Sequence, residues 1–344
     1  MNVGHILALG GRTVLGHTPQ TAAAAVRAGI SRVESHPFLV DSGGAPIRGA
    51  FDETIDEQAS AVERMHALAS HALLGLEERL ERPLPPLSLL LALPEHRPGF
   101  DEKDQLALES SLQRHQGRLT FNSVRTVAQG HAGGLEALRL AADVTPRLPE
   151  GLCVVGGIAS YLDPRTIAWL SSNRQLIRPD SRTGFFPGEA AFFALFASQQ
   201  TRRSLGSESL ATVHGAGSAM EPRRIRSDLD NLGRGLTDAI RQACSGVDGL
   251  IDQVYSDING ERYRAEEWGL AILNTSQWFR NPAGYIAPAG QWGDLGAATG
   301  LALTSLAAES WRRGYSAGPL AMLIAGSEAG LRGAVVLGAP EAKA

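Results

Sequence analysis

The sequence predicts an α/β protein whose strands are mainly buried. Short apolar runs of the kind that lie buried on both faces of a sheet recur along the chain, such as PLSLLLALP at 86–94 and GLCVVGGIAS at 151–160. Stretches rich in Ala, with helical start and stop signals, separate these runs. Alternation of strands and helices is typical of α/β folds.

The first part of the chain supplies the elements in order. ILALGG near the N-terminus predicts a buried strand that ends in a glycine turn. Segment 17–30, HTPQTAAAAVRAGI, starts with Thr and Pro and ends with Gly, which predicts a helix. Residues 53–80 form an amphipathic segment that predicts one long helix. GEAAFFALFAS at 188–198 follows a Pro-Gly turn and predicts another buried strand.

After about residue 205 the same order of elements returns, without a repeat of the sequence itself. The predicted elements are a strand and loop at 209–219, a helix at 236–247, a strand and loop at 249–260, a helix at 293–314 and two strands at 318–340. The length of 344 residues fits two domains or one large two-part domain.

The composition excludes several classes of function. The chain is 43% hydrophobic and 20% charged, as ordinary globular proteins are. A net charge of −4 gives no indication of nucleic-acid binding. No apolar run approaches the roughly 18 residues that span a bilayer, and the N-terminus lacks the features of a signal peptide. We therefore expect a cytoplasmic protein that binds neither membrane nor nucleic acid.

The cysteine count argues against disulfide and metal chemistry. The chain has two cysteines, Cys153 and Cys244, and their spacing fits neither a disulfide framework nor a metal site. Cys153 lies in an apolar strand run and Cys244 in a predicted helix, so we expect both to be packing residues. We expect no metal and no cofactor.

Residues 126–142, TVAQGHAGGLEALRLAA, predict an extended segment that turns into a helix with His131 at the corner. Small residues follow the histidine, and good helix formers follow them. The free backbone N–H groups of a helix N-terminus face whatever binds there, and many enzymes place a nucleophile at such a corner. His131 is therefore the first candidate functional residue.

Taken together, these segments resemble the β-ketoacyl synthases of the thiolase superfamily. ILALGGRTVLGHTPQTAAAAVRAGISRV is similar to the family's first strand, turn and helix. GGIASYLDP and GFFPGEAAFFALF resemble its paired strand signature, and ATVHGAGSAMEP resembles its next strand. IDQVYSDING and GDLGAATGLALTSLA resemble its two histidine segments, and GSEAGLRGAVVL its glycine-rich turn and last strand. The resemblance covers nearly the whole chain in the right order.

The resemblance implies a thiolase-like fold of five layers, αβαβα, built from two related βαβαβ halves. The halves would be residues 1–205, with the helix at the nucleophile position, and residues 206–344. In the family, a cysteine at a helix N-terminus takes an acyl group from a carrier-protein or CoA thioester. Two histidines then assist decarboxylation of a malonyl unit and stabilise the enolate.

All three chemical positions of the family are substituted in this chain. Alignment of QGHAGGLEAL places His131 where the family has its cysteine. YSDING places Asp257 at the first histidine, and QWGDLGAATG places Gly293 at the second, flanked by Trp292 and Asp294. The scaffold is kept, whereas the chemistry of the family is missing.

Two interpretations of His131, Asp257 and Asp294 remain open. They form a different catalytic set if they converge, since an imidazole oriented by a carboxylate is a general-base arrangement. The protein would then be an acyltransferase acting on acyl-ACP or acyl-CoA. Alternatively, His131 fills a vestigial pocket, and the protein is a binding or assembly partner resembling the chain-length-factor subunits. Loss of the nucleophile and of both enolate-stabilising groups favours this second interpretation.

The resemblance also implies partners. Family members pair edge to edge through a strand, so we expect a homodimer. We place its interface at GLCVVGGIAS, because a bare apolar edge is not left open in solution. A heterodimer with an active ketosynthase, and contact with acyl carrier protein or acyl-CoA, fit the same resemblance.

Overall fold

The structure is a computed structural model that describes residues 4–41, 43–178, 181, 183–225 and 230–340. The strands of the described residues are, in chain order, β1 Gly4–Thr13, β2 Glu34–Val40, β3 Pro46–Gly49, β4 Leu87–Ala92, β5 Phe121–Val127, β6 Leu152–Ser160, β7 Glu189–Ser198, β8 Ala211–Met220, β9 Gln253–Ser256, β10 Leu320–Gly326 and β11 Leu331–Gly338. The α-helices of the same residues are α1 Pro19–Arg27, α2 Ala61–Glu77, α3 Glu102–Gln113, α4 Gly133–Val144, α5 Pro164–Ser172, α6 Gln199–Leu205, α7 Arg234–Cys244, α8 Arg262–Leu273, α9 Ala289–Trp292 and α10 Thr299–Arg312.

Nine of the described strands form one mixed sheet with a symmetric order. The order is β5-β4-β6-β7-β1-β8-β11-β10-β9, and β2 pairs with β3 in a separate hairpin. Counted outward from the antiparallel β1–β8 pair, β7, β6 and β4 on one side correspond to β11, β10 and β9 on the other. The pairing directions also correspond, since β4–β6 and β9–β10 are parallel and the other pairs in both sets are antiparallel.

Two helices, α4 and α10, form a central layer between the two sets of strands. α4 contacts β4 and β6 on one side and β8 and β11 on the other, and α10 contacts β6, β7 and β10. α2 covers the outer face of β1, β6 and β7, and α7 covers the outer face of β8 and β11. Helices and strands therefore alternate in five layers, which confirms the predicted αβαβα thiolase-like fold.

The central helices cross at glycines, and their N-terminal corners match. A Cβ at Gly300 would lie 2.8 Å from the backbone N of Leu135, and one at Gly134 would lie 3.2 Å from the Cα of Gly300. Each helix follows a 3₁₀ turn, 130–132 before α4 and 296–298 before α10. Both turns begin at a glycine with positive φ, so the corner that carries His131 recurs in the second half of the chain.

The interior strands are as apolar as the sequence predicted. All residues of β6 and β7 are buried, because helices cover both faces of these strands. The described part of the chain contains no helix with the length and apolarity needed to cross a membrane. The division into residues 1–205 and 206–344 stays a prediction.

Two expectations about elements were wrong. The helix expected over 53–80 begins only at Ala61, because Ser60 and Glu63 form a capping box in which Ser60 N donates to Glu63 Oε2 at 2.7 Å. The run GLCVVGGIAS is not an edge strand, since β6 lies between β4 and β7. A continuously apolar strand needs cover on both faces and therefore lies inside the sheet.

The edge on this side of the sheet is β5. Asn122, Ser123 and Arg125 of this strand are exposed, and only its two terminal residues are buried. Polar side chains are usual on strands whose outer hydrogen-bonding groups have no partner within the chain. The strand that could pair with a second sheet on this side is therefore β5, and not β6 as expected.

Candidate functional site

His131 lies at the corner between β5 and α4 and is 6% exposed. Gly130, with φ of +59°, turns the chain away from β5 just before it. The turn after β10 holds the corner from the other half of the chain, because Ser327 Oγ accepts a hydrogen bond from Ala132 N at 2.9 Å and donates one to Gln129 O. The imidazole is thus placed by two rigid backbone segments.

Asp294 is the direct partner of His131. The Nε2 atom of His131 lies 2.7 Å from Oδ1 and 2.9 Å from Oδ2 of this carboxylate. The same carboxylate accepts hydrogen bonds from Asn259 Nδ2 at 2.6 Å, Gly296 N at 2.8 Å and Tyr161 OH at 3.1 Å. Four donors therefore converge on one buried carboxylate and fix its orientation.

Asp257 belongs to the same buried network but contacts Arg264. Arg264 donates to Asp257 Oδ2 and, at 2.7 Å, to Gly326 O. Gly326 N donates to Asp257 Oδ2 at 2.7 Å. The guanidinium of Arg264 lies between Asp257 and His131, since its Nη2 atom is 3.5 Å from Nε2 of His131. The structure thus brings His131, Asp294 and Asp257 together, with only the first two in direct contact.

The structure places Asp294, rather than Gly293, opposite His131. Gly293 has φ of +75°, and a Cβ built there would lie 3.0 Å from Gly188 Cα and Pro187 O. A side chain at position 293 would therefore be strained by the positive φ and crowded by the segment that precedes β7. The side chain that faces His131 is that of Asp294.

Charges within this network decide the protonation of the pair. Burial lowers the pKa of His131 and Arg264 also lowers it, but Asp294 and Asp257 outweigh them, so that the pKa is raised. Burial raises the pKa of Asp294, but the charge and hydrogen bond of His131, together with Arg264 and Asn259, hold it well below its usual range. These shifts favour an imidazolium–carboxylate ion pair.

A cavity of about 230 Å³ opens onto His131, and we refer to it as the His131 cavity. Five acidic, basic or imidazole side chains line it, namely Glu95, His96, Arg97, His131 and Glu328. Tyr161 and Trp169 contribute aromatic rings, and the Arg97 guanidinium lies 4.5 Å from the centre of the Tyr161 ring. The cavity is therefore small and charged.

Hydrogen bonds fix the charged rim of this cavity. Glu95 Oε1 accepts from Ala329 N at 2.9 Å, and Glu328 Oε1 accepts from Gln175 Nε2 at 2.6 Å. Both bonds tie the turn after β10 to elements of the first half of the chain. An alkyl chain placed here would displace water from these carboxylates without replacing its hydrogen bonds, which is unfavourable.

Neither cysteine supplies a nucleophile to this cavity. Cys153 lies in β6 and its Sγ is 3.1 Å from Thr145 Oγ1, and burial raises its pKa to about 12. Cys244 lies at the end of α7, where burial also raises its pKa to about 12. Both are buried packing residues, as predicted, and neither lines the cavity.

Sequence reasoning missed Arg264, Asn259 and Tyr161. Arg264 and Asn259 follow β9 in NGERYR, a charged stretch that carries no motif. Tyr161 directly follows β6 in IASYLDP, and its place at a strand end was the only available signal. Among the described residues, no group of three or more His, Cys, Asp or Glu side chains is arranged to hold a metal ion.

The fold defines a class: the chain has the thiolase-like α/β fold found in ketosynthases. Neither a protein-family model nor a curated protein sequence matches the chain. The similarity is instead found among solved structures, at sequence identities that show the fold alone.

Three solved structures illustrate the match. One is a type II polyketide synthase acyl-carrier protein in complex with its ketosynthase bound to the hexaketide, with TM-score 0.78, 13% identity and coverage of 98% of this chain and 99% of that chain. Another is a ketosynthase in complex with its chain length factor from Xenorhabdus doucetiae, with TM-score 0.76, 14% identity and 98% coverage of both chains. A third is the ketosynthase from module 6 of the bacillaene synthase from Bacillus subtilis 168, with TM-score 0.78, 11% identity and coverage of 99% of this chain and 73% of that chain.

Proposed function

We propose that this chain is a ketosynthase-like subunit without condensing activity, which acts as a binding or assembly partner in the manner of a chain length factor. The observation that carries the proposal is the pairing of His131 with Asp294. At the position where the family has its thiolate, Nε2 lies within hydrogen-bonding distance of both carboxylate oxygens. A proton held on Nε2 by this carboxylate leaves that nitrogen no free lone pair with which to attack a thioester.

The chain also lacks the groups that the second step of condensation requires. A ketosynthase needs donors that stabilise the enolate formed from malonyl, and each such donor contributes roughly 10²–10³ in rate. Asp257 and Asp294 are carboxylates, and a negative group beside a developing negative charge raises the barrier. The nearby Arg264 is already bound to Asp257 and Gly326 O. These substitutions support a loss of the whole reaction rather than of one step.

The His131 cavity supports the same conclusion. Its volume of about 230 Å³ is below the approximately 300–1,000 Å³ of ordinary ligand sites. Its rim of carboxylates and a guanidinium is unsuited to an acyl chain. We infer that no acyl chain is held here.

Assembly is supported by the open edge at β5. Its outer backbone groups are available for antiparallel pairing with a second sheet across a two-fold axis. Solved structures with the same fold include a ketosynthase in complex with its chain length factor and a ketosynthase with its acyl-carrier protein. We propose that β5 pairs this chain with itself or with an active ketosynthase subunit, and that acyl carrier protein is a further partner.

Acylation and decarboxylation assays test the loss of activity. After incubation with acyl-CoA we expect no mass increase, and with malonyl-ACP no release of carbon dioxide. The variant His131→Cys should not release carbon dioxide either, although a helix N-terminus favours its thiolate. The comparison variant carries Asp257→His and Asp294→His in addition to His131→Cys. A mass increase in the native protein that disappears in His131→Ala refutes the proposal.

The second candidate is an acyltransferase of the 3-oxoacyl-ACP synthase type with an altered His/Asp site. The contact between His131 and Asp294 favours it, since a carboxylate that orients a neutral imidazole creates a general base. The imidazole must first lose its proton, so this activity would rise with pH. Acyl transfer from acyl-CoA that is absent at pH 6 and present at pH 9 would support this candidate over the first.

Light scattering tests the assembly. At micromolar concentration we expect a particle of twice the 36.4 kDa chain mass. A particle with the mass of a single chain contradicts the homodimer, and association of that monomer with a ketosynthase would leave the heterodimer as the form of assembly.

A further inference from the structure

A second cavity, of about 370 Å³, lies beneath the β2–β3 hairpin, and we refer to it as the hairpin cavity. Its walls are the hairpin, the loop 51–57 that leads to α2, and the turn after β1. It shares no lining residue with the His131 cavity. The two linings come nearest in sequence at Tyr161, which lines the His131 cavity, and Leu162, which lines this one. The proposed function gives it no role.

The floor of the hairpin cavity is a buried ion pair that holds the loop. Arg64 is 1% exposed and binds Glu189 through two hydrogen bonds, of 2.6 and 2.9 Å. The same guanidinium donates to Asp52 O at 2.8 Å and to Asp56 O at 3.0 Å. Burial of such a pair is costly, but it fixes the loop from below. The cavity is therefore preformed, which lowers the entropic cost of binding.

The charges of the floor compensate one another. Asp52 accepts a hydrogen bond from Arg12 Nε at 2.7 Å and another from Thr54 N at 3.0 Å. The lining residues Asp52 and Arg64 are thus each paired with an opposite charge behind the lining, on Arg12 and Glu189 respectively. The floor therefore offers a ligand no net charge.

The rim, by contrast, carries uncompensated negative charge. Glu53 and Glu57 line the cavity and are exposed, and the described residues place no cation in an ion pair with either. Arg32 on the same rim is paired with Glu34 at 3.2 Å. Apolar side chains form a wall beside these carboxylates, namely Val14, Phe51, Ile55 and Leu162.

His36 adds no positive charge to the rim. Its Nδ1 accepts from Phe38 N at 3.3 Å and Leu39 N at 3.2 Å, so in the neutral ring the proton is on Nε2. Burial lowers the pKa of His36, Glu57 raises it and Arg64 lowers it, with a net decrease. At neutral pH the imidazole is therefore uncharged.

We propose that the hairpin cavity binds a small organic cation, an ammonium or guanidinium group carried on an apolar stem. The cationic head lies between Glu53 and Glu57, and the stem packs on the apolar wall of Phe51, Ile55 and Leu162. The same carboxylates disfavour carboxylate and phosphate ligands of equal size. The preformed loop and the neutral floor leave the rim charge to decide the choice of ligand.

Three molecules of matched shape test this inference by calorimetric titration of the full chain at low salt. The probes are 4-phenylbutylamine as cation, 4-phenylbutanol as neutral form and 4-phenylbutyrate as anion. We expect the amine to bind about tenfold more tightly than the alcohol, because an attraction of that size is typical of a partly enclosed charge pair, and the anion to bind most weakly. Added salt should reduce the preference for the amine.

Two charge-matched variants complete the test. Glu53→Gln combined with Glu57→Gln should remove the preference for the amine over the alcohol. Glu81→Gln combined with Asp248→Asn makes the same change in net charge at exposed positions that do not line the cavity, and should leave the preference within about twofold. Equal binding of the three probes, absence of saturable amine binding, or equal losses in both variants would overturn the proposal. None of these outcomes depends on activity at His131.

Discussion

The corner before α4 and the corner before α10 share a backbone but differ in chemistry. Each is a 3₁₀ turn that starts at a glycine with positive φ, +59° at Gly130 and +49° at Gly296. The first turn carries His131 as its second residue, and the second carries Ala297. Both corners lead into a helix that packs against the other helix at a glycine.

This difference separates packing from catalysis. The corner in the second half has no reactive group, yet it keeps the same turn because α10 must approach α4 closely. The same packing requirement is enough to account for the backbone of the corner at His131. The shape of a nucleophile corner is not evidence of a nucleophile, and the function must be argued from the side chains.

The largest effect should come from the charged partner at the first corner. Asp294→Ala leaves His131, Asn259 and Tyr161 without their shared acceptor inside the protein, so we expect a loss of about 3–5 kcal/mol in the free energy of unfolding, measured by urea denaturation. The exposed control Asp248→Asn should change it by less than about 0.5 kcal/mol. Similar values for the two variants would show that the buried network contributes little to stability.

A smaller effect should come from the helix crossing shared by both corners. Gly300→Ala places a Cβ 2.8 Å from Leu135 N, a backbone atom that cannot move aside independently. We expect a loss of about 1–3 kcal/mol. The matched control is Gly75→Ala in α2, where a Cβ would meet nothing within 4 Å. It should gain about 0.5–1 kcal/mol. A gain in both variants would contradict the close approach of the two helices.

The smallest effect should come from the charge of His131. The pKa of His131 is raised by folding, so its charge stabilises the folded state fully below the unfolded pKa. That contribution is lost as the pH rises through the folded pKa. The difference in unfolding free energy between the native protein and His131→Gln should therefore be larger at pH 6 than at pH 9, by urea denaturation. A difference that grows with pH would mean that the imidazole is neutral in the folded protein.

The strands that were predicted from the sequence are largely buried, and the elements that were missed are largely exposed. β6 and β7 were predicted because their apolar runs are covered on both faces. The β2–β3 hairpin was not predicted, since no residue of β2 is fully buried and the strand has no alternating pattern. α3 was missed for a similar reason, because only Leu108 and Leu112 of this helix are buried.

The site was predictable where local sequence determines it. His131 was predicted from the corner that leads into a helix, and Asp294 from the family resemblance of the segment around Gly293. Arg264 and Asn259 were not found, because only the packing of the segment after β9 brings Arg264 to His131 and Asn259 to Asp294. The one-residue difference between Gly293 and Asp294 has a local cause. At Gly293, with φ of +75°, an added Cβ would point toward the entry to β7, and the next side chain turns inward.

The shared central layer has a consequence for how the chain is made. During synthesis α4 emerges well before β8 and β11, which cover one of its faces. The first half therefore waits with apolar surface exposed, a state in which long-range pairing is slow and aggregation competes. Fragments cut between residues 205 and 206 should each be poorly soluble alone and should recover a folded complex when co-expressed. We therefore expect chaperones to bind the exposed apolar surface of α4 until β8 and β11 have been synthesised.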